Sequence, residues 1–176
     1  TRKTGGTLLN TMTIADNDNV GSTGPGGVGD DASNIYWLKA DDISATDGQN
    51  LSAWNDISGN NSTVNVGNTP SYVATSDFNN RPAVSFESGD RFTFQDLSAL
   101  SEGEVFIVVQ ADADPPGNND NAELWDMGET DRQVFPATDG NLYEHFGTND
   151  RKDNIEIDIL TQPRIYNVRS ANLDYE

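Results

Sequence analysis

Two carboxylates set two residues apart raise the question of chemistry in this chain. In DNIEIDIL (153–160), Glu156 and Asp158 fall on one side of an extended segment, because side chains alternate faces with a period of two. Hydrolysis of a glycosidic bond with retention needs a nucleophile and a general acid roughly 5 Å apart, and that spacing is compatible with the pair. A row of acids would continue at Leu160, or at Thr161 if the strand bulged, and neither is acidic. In ELWDMGE (123–129), Glu123, Asp126 and Glu129 are three apart, so they alternate faces and form no row. The pattern IEIDI is also what a half-buried strand shows, apolar inward and charged outward. His145 has no second histidine at metal spacing, and no Ser elbow accompanies it. No catalytic residue is therefore expected, and the chain is read as a non-enzyme.

Hard oxygen ligands are better represented. DADPPGNNDNAE (112–123) gathers Asp112, Asp114, Asn119 and Asp120, with Asn118 and Asn121, around a Pro-Pro-Gly turn. Ca²⁺ takes six to eight oxygens with tolerant geometry, which suits such a loop. Gly117 stands at the sixth position and Glu123 at the twelfth, as in an EF-hand, but no helical pattern flanks them. Asp16 and Asp18 in ADND form a second candidate pair. The alternative is a solvated acidic loop. Exposed aromatics could serve a different chemistry, stacking on sugar faces while Asn and Asp accept hydroxyl hydrogens. Tyr143, His145, Trp125 and Tyr72 are the candidate platforms, although an aromatic in a strand more often belongs to the core.

The bulk composition narrows the partners. Of 176 residues, 29 are acidic and 10 basic, a formal charge of −19 that opposes approach to nucleic acid phosphates and anionic lipid. Neither nucleic acid nor membrane insertion is expected, and no apolar run approaches the roughly 20 residues that span a bilayer. There is no cysteine, hence no disulfide framework and no thiolate metal site. Strong acidity can also mark disorder, but 9% aromatics arranged in alternating runs argue for a fold.

Those runs are short and β-rich. TLLNTMTI (7–14) ends as a strand, and ADNDNVGSTGPGGVGDDASN (15–34) is turn and linker chemistry. NIYWLKA (34–40), SAWNDI (52–57), PAVSFES (82–88), RFTFQDL (91–97) and GEVFIVVQA (103–111) follow, rich in Val, Ile, Phe, Tyr and Trp. AELWDMG (122–128), QVFPA (133–137), NLYEHFG (141–147), NIEIDIL (154–160) and PRIYNVRSA (163–171) continue the pattern. DLSALSEG (96–103) offers at most one helical turn. VFIVVQ is apolar on both faces, which predicts a central strand covered on both sides. Many short strands separated by turns predict an all-β, antiparallel β-sandwich.

Several motifs together carry a family resemblance over residues 34–176. Trp37-Leu38-Lys39-Ala40-Asp41, then Gly48, then LSAWNDISGN (51–60), and later NRPAVSF (80–86) resemble the laminin-G-like, concanavalin-A-like jelly-roll domains of bacterial surface proteins. DGNLYEHFGTNDRK (139–152) and RIYNVRSANLDYE (164–176) look like the later strands of one subgroup. NTMTIADND (10–18) resembles the last strand and acidic exit of a Calx-beta repeat, whose aspartates often hold calcium. The resemblance implies three segments: 1–18 as the end of a Calx-beta-like domain, 19–33 as a linker, and 34–176 as the jelly roll. Members usually continue past the YNVRSA strand, so the C-terminal strands are expected to be missing and the chain to be a piece of a longer polypeptide. The strand at 164–171 would then be left open, with an edge to cover.

Taken together, the resemblance implies a non-catalytic, lectin-like module of a large cell-surface adhesin. It would be extracellular, on the bacterial cell surface, of a kind frequent in gliding bacteria. Its partners would be carbohydrate or another surface ligand and the neighbouring domains of the same chain, with Ca²⁺ as the ion. A structural spacer without a ligand is the alternative, and a jelly-roll glycoside hydrolase the third.

Overall fold

The structure is a computed structural model that describes residues 33–60, 62, 64–87, 89–95, 97, 100, 102–112, 124–125, 141–144, 152–156, 161–171 and 174–175. The segments 1–18 and 19–32 lie outside the described residues. Nine strands are present among the described residues: β1 Asn65–Gly67, β2 Ser71–Val73, β3 Ala83–Ser85, β4 Arg91–Thr93, β5 Gly103–Val109, β6 Asn141–Glu144, β7 Lys152–Glu156, β8 Arg164–Ala171 and β9 Asp174–Tyr175. Every strand pairing among them is antiparallel. The helical content among the described residues is one 3-10 turn, Ala40–Asp42. The chain is all-β, as the strand pattern predicts. It divides into two compact units, one formed by residues up to Ala74 with Pro82–Phe94, the other by Thr75–Arg81 with Gln95–Glu176.

In the first unit, β1 pairs with β4 through Val66↔Phe92, and β2 with β3 through Tyr72↔Val84. The stretch 48–51 lies along 70–72: the Leu51 amide donates to the Pro70 carbonyl at 2.7 Å, and the Tyr72 amide to the Gln49 carbonyl at 2.9 Å. Leu51, Pro70 and Tyr72 are buried there. Edge-to-face rings complete the packing, Trp54 against Phe92 at 5.4 Å and Phe86 against Phe92 at 5.4 Å. The Trp54 ring also donates its N–H to the Lys39 carbonyl at 3.2 Å, which satisfies the polar end of a half-buried indole.

Two expected strands are not formed. Segments 34–40 and 52–57 share only an isolated bridge, Leu38↔Asp56. The Asp56 side chain takes the Trp37 amide, a donor that a longer ladder would have used, and gathers the turn that follows. Its Oδ1 accepts from the amides of Trp37 at 2.8 Å and Ser58 at 2.9 Å. Its Oδ2 accepts from the Ser58 hydroxyl at 2.7 Å and the Ser62 amide at 3.0 Å. Aspartate competes with regular structure in just this way, by offering the backbone a local acceptor.

In the second unit, β5 and β8 pair over seven residues, from Gly103↔Ser170 to Val109↔Arg164, and β9 lies on the other side of β8. β9 covers only the end of β8, at Ser170 and Ala171, and among the described residues no strand pairs with that side of 164–169. Val105↔Val168 and Ile107↔Tyr166 face inward, with Val168 only 3% exposed beneath Trp125. Opposite them, Phe106 at 53%, Val108 at 60% and Ile165 at 75% are exposed. The apolar run of β5 is thus covered on one face and open on the other, where cover on both was expected. An unbroken apolar run carries no period, so the difference between its faces arises only on pairing with β8.

Candidate functional site

Among the described residues, an open concavity in the first unit is made of polar side chains. Two turns build it. Asn68 follows β1 with φ +59° and Gly89 precedes β4 with φ +88°, both in the left-handed region that suits these residue types. The Asn68 side-chain amide donates to the Gly89 carbonyl and joins the two turns. A Cβ on Gly89 would lie 2.9 Å from Asn68 Nδ2, so a side chain there would meet the strain of its φ and also displace the Asn68 amide. Asp90 then locks the corner, its Oδ1 accepting from the Thr69 amide at 3.0 Å and its Oδ2 from the Glu87 amide at 2.9 Å. Asn50 is brought alongside by its antiparallel bridge to Ser71.

The result is an open cleft of about 510 Å³ lined by Asn50, Asn68, Thr69, Ser71, Glu87 and Asp90. Asn68 and Asp90 are committed to holding its shape. The side chains of Asn50, Thr69, Ser71 and Glu87 make no hydrogen bond among the described residues. Together they present one carboxamide, two hydroxyls and one carboxylate, a set that hydrogen-bonds hydroxyl-rich or cationic groups. Among the described residues, no aromatic ring and no basic side chain lines the cleft. Arg91, next along the chain, lies over Gly67.

The other ordered polar centre is the Asp56 knot. Burial opposes its charge, but the amides of Trp37 and Ser58, the Ser58 hydroxyl and the Ser62 amide outweigh that and hold the carboxyl below its ordinary value of 3.8. Ser58, fully buried, also lies within reach of the Ile35 carbonyl at 3.3 Å, which the Ser62 hydroxyl shares at 3.1 Å. All acceptor positions of Asp56 are directed into the fold. It organises the segment and is not available to a ligand.

Of the aromatic candidates, Tyr72 is 8% exposed, packed in the first unit opposite Val84, so its ring offers no open face. Trp125 is half-buried and stacks on Tyr166 at 5.6 Å with 28° between the ring planes. Its indole N–H is buried without a partner among the described residues. Tyr143 sits on β6, and His145 lies outside the described residues. Of the oxygen ligands, Asp112 is exposed just beyond β5. Asp114, Asn119, Asp120, Asp16 and Asp18 lie outside the described residues. Among the described residues no group of three or more His, Cys, Asp or Glu side chains is placed to hold a metal ion. Glu156 ends β7, paired with Asn141, while Asp158 lies outside the described residues.

The cleft residues were not singled out in the sequence. The available signals were the turn dipeptides Gly67-Asn68 and Ser88-Gly89, which mark two corners without telling that they meet. Compared with protein-family models, with curated proteins and with solved structures, the chain matches none.

Proposed function

We propose that the chain is a non-catalytic, lectin-like binding module of jelly-roll type, part of a large adhesin displayed on a bacterial cell surface and recognising glycans through the cleft of the first unit. The observation that supports this reading is the cleft itself, a concavity of about 510 Å³ walled by polar side chains of which four are uncommitted. That volume falls in the range of about 300–1,000 Å³ typical of small-ligand sites. Its polar lining favours hydroxyl-rich ligands over apolar ones. The antiparallel, nearly helix-free architecture agrees with a jelly roll, and no helix of the described residues is long and apolar enough to cross a membrane. Glycan-array screening of the whole chain, repeated with Asn50→Ala and Ser71→Ala, tests the proposal. Specific binding lost in both variants supports it, and binding by neither wild type nor variants refutes it.

A second reading, a spacer that packs against neighbouring domains of the same chain, is favoured by the exposed apolar face of Phe106, Val108 and Ile165. Calcium, held by the loop from Asp112 to Asp120 or by Asp16 and Asp18, would serve either role. A native-state ligand raises the melting temperature, so a rise in millimolar Ca²⁺ that chelator reverses is the expected result.

A further inference from the structure

Resting on the glycan-binding proposal, we infer that the cleft prefers saccharides bearing a protonated amine, with Glu87 as the residue that selects them. The two carboxylates of the cleft differ in availability. Asp90 already accepts two backbone amides, at 3.0 and 2.9 Å, and its charge is shared with the turn it holds. Glu87 contributes only its backbone to that turn, and its exposed side chain is free to accept from a ligand. A sugar hydroxyl can donate to it, but an ammonium group donates and also neutralises it. Charge-assisted hydrogen bonds are roughly twice as strong as neutral ones. Among the described residues, no Lys or Arg lines the cleft to compete for Glu87 or to attract an acidic sugar. Uronic acids and sulfated sugars are repelled there, by Glu87 and by the chain's net charge of −19. Asn50, Thr69 and Ser71 take up ring and side hydroxyls without regard to charge.

Titration calorimetry on the whole chain tests this with three probes: a glucosamine tetramer, its fully N-acetylated counterpart, and a galacturonic acid tetramer. The pH is set so that the amine is protonated. The glucosamine tetramer should bind roughly threefold to tenfold tighter than the acetylated one at low salt, with the margin shrinking as salt rises. Glu87→Gln should abolish that preference, bringing the affinity for the glucosamine tetramer down to that for the acetylated one. Glu102→Gln, an exposed acid of the second unit, should leave the preference unchanged and so separates Glu87 from diffuse attraction to the net charge. Equal binding of the aminated and acetylated tetramers overturns this inference alone, as does a preference that survives Glu87→Gln. Failure of every saccharide to bind overturns it together with the proposal beneath it.

Discussion

Asp56 Oδ1 accepts the amide of Trp37 at 2.8 Å, across nineteen positions of sequence, and so ties the start of the described chain to the turn at 56–62. Three further donors from Ser58 and Ser62 converge on the same carboxylate. Hydrogen bonds to a charged group contribute about 1.5–3 kcal/mol each before non-additivity, so Asp56→Ala should lower stability by about 2–4 kcal/mol. Asp56→Asn should cost nearly as much, because its NH₂ would face a donor on the Oδ2 side. Chemical denaturation of both variants measures this.

The same carboxylate sets an acid limit. Its folded pKa lies below its ordinary value of 3.8, so the stability it contributes is complete above that value and is lost as pH falls through the folded pKa. The difference in melting temperature between wild type and Asp56→Asn should therefore be constant at neutral pH and narrow below pH 3.8. A difference that stays constant into strong acid would show that Asp56 acts through shape alone.

Two glycines separate backbone strain from crowding. Gly48 has φ +73° with nothing within 4 Å of a Cβ, whereas Gly89 has φ +88° and would place its Cβ 2.9 Å from Asn68 Nδ2. The left-handed conformation costs a side chain about 1–2 kcal/mol. Gly48→Ala should show that cost alone. Gly89→Ala should add the displacement of Asn68 and weaken binding at the cleft. Equal destabilisation by the two, with binding intact in Gly89→Ala, would remove Asn68 from the architecture of the cleft.

On β8, neighbouring positions differ in what they support. Val168→Ala removes buried apolar atoms under Trp125 and should cost about 1–3 kcal/mol. Ile165→Lys, three residues earlier on the open face, should change stability by no more than about 0.5 kcal/mol in the isolated chain. If neighbouring domains pack on that face, Ile165→Lys should instead destabilise a longer chain containing them. Thermal melts of both lengths distinguish the two cases.

The class of fold was legible because it rests on local chemistry. Val, Ile, Phe and Tyr in short runs between Gly, Asn and Asp clusters imply antiparallel strands, and β3, β4, β5, β6 and β8 fall inside the runs so read. The charge of −19 and the absence of cysteine are likewise properties of the sequence alone. What depended on tertiary structure was every feature made by residues far apart. Segments 34–40 and 52–57 carry strand composition, yet the Asp56 carboxylate of the second takes the Trp37 amide of the first, and composition cannot rank a side-chain acceptor against a ladder. Which face of Val105-Phe106-Ile107-Val108-Val109 is covered followed from its register with β8. The cleft joins Asn50, the corner at 68–71 and the turn at 87–90, none of which signals a site by itself. Their meeting depends on the Asn68–Gly89 contact and on the Thr69 amide held by Asp90, long-range bonds that exist only once the chain has folded back on itself.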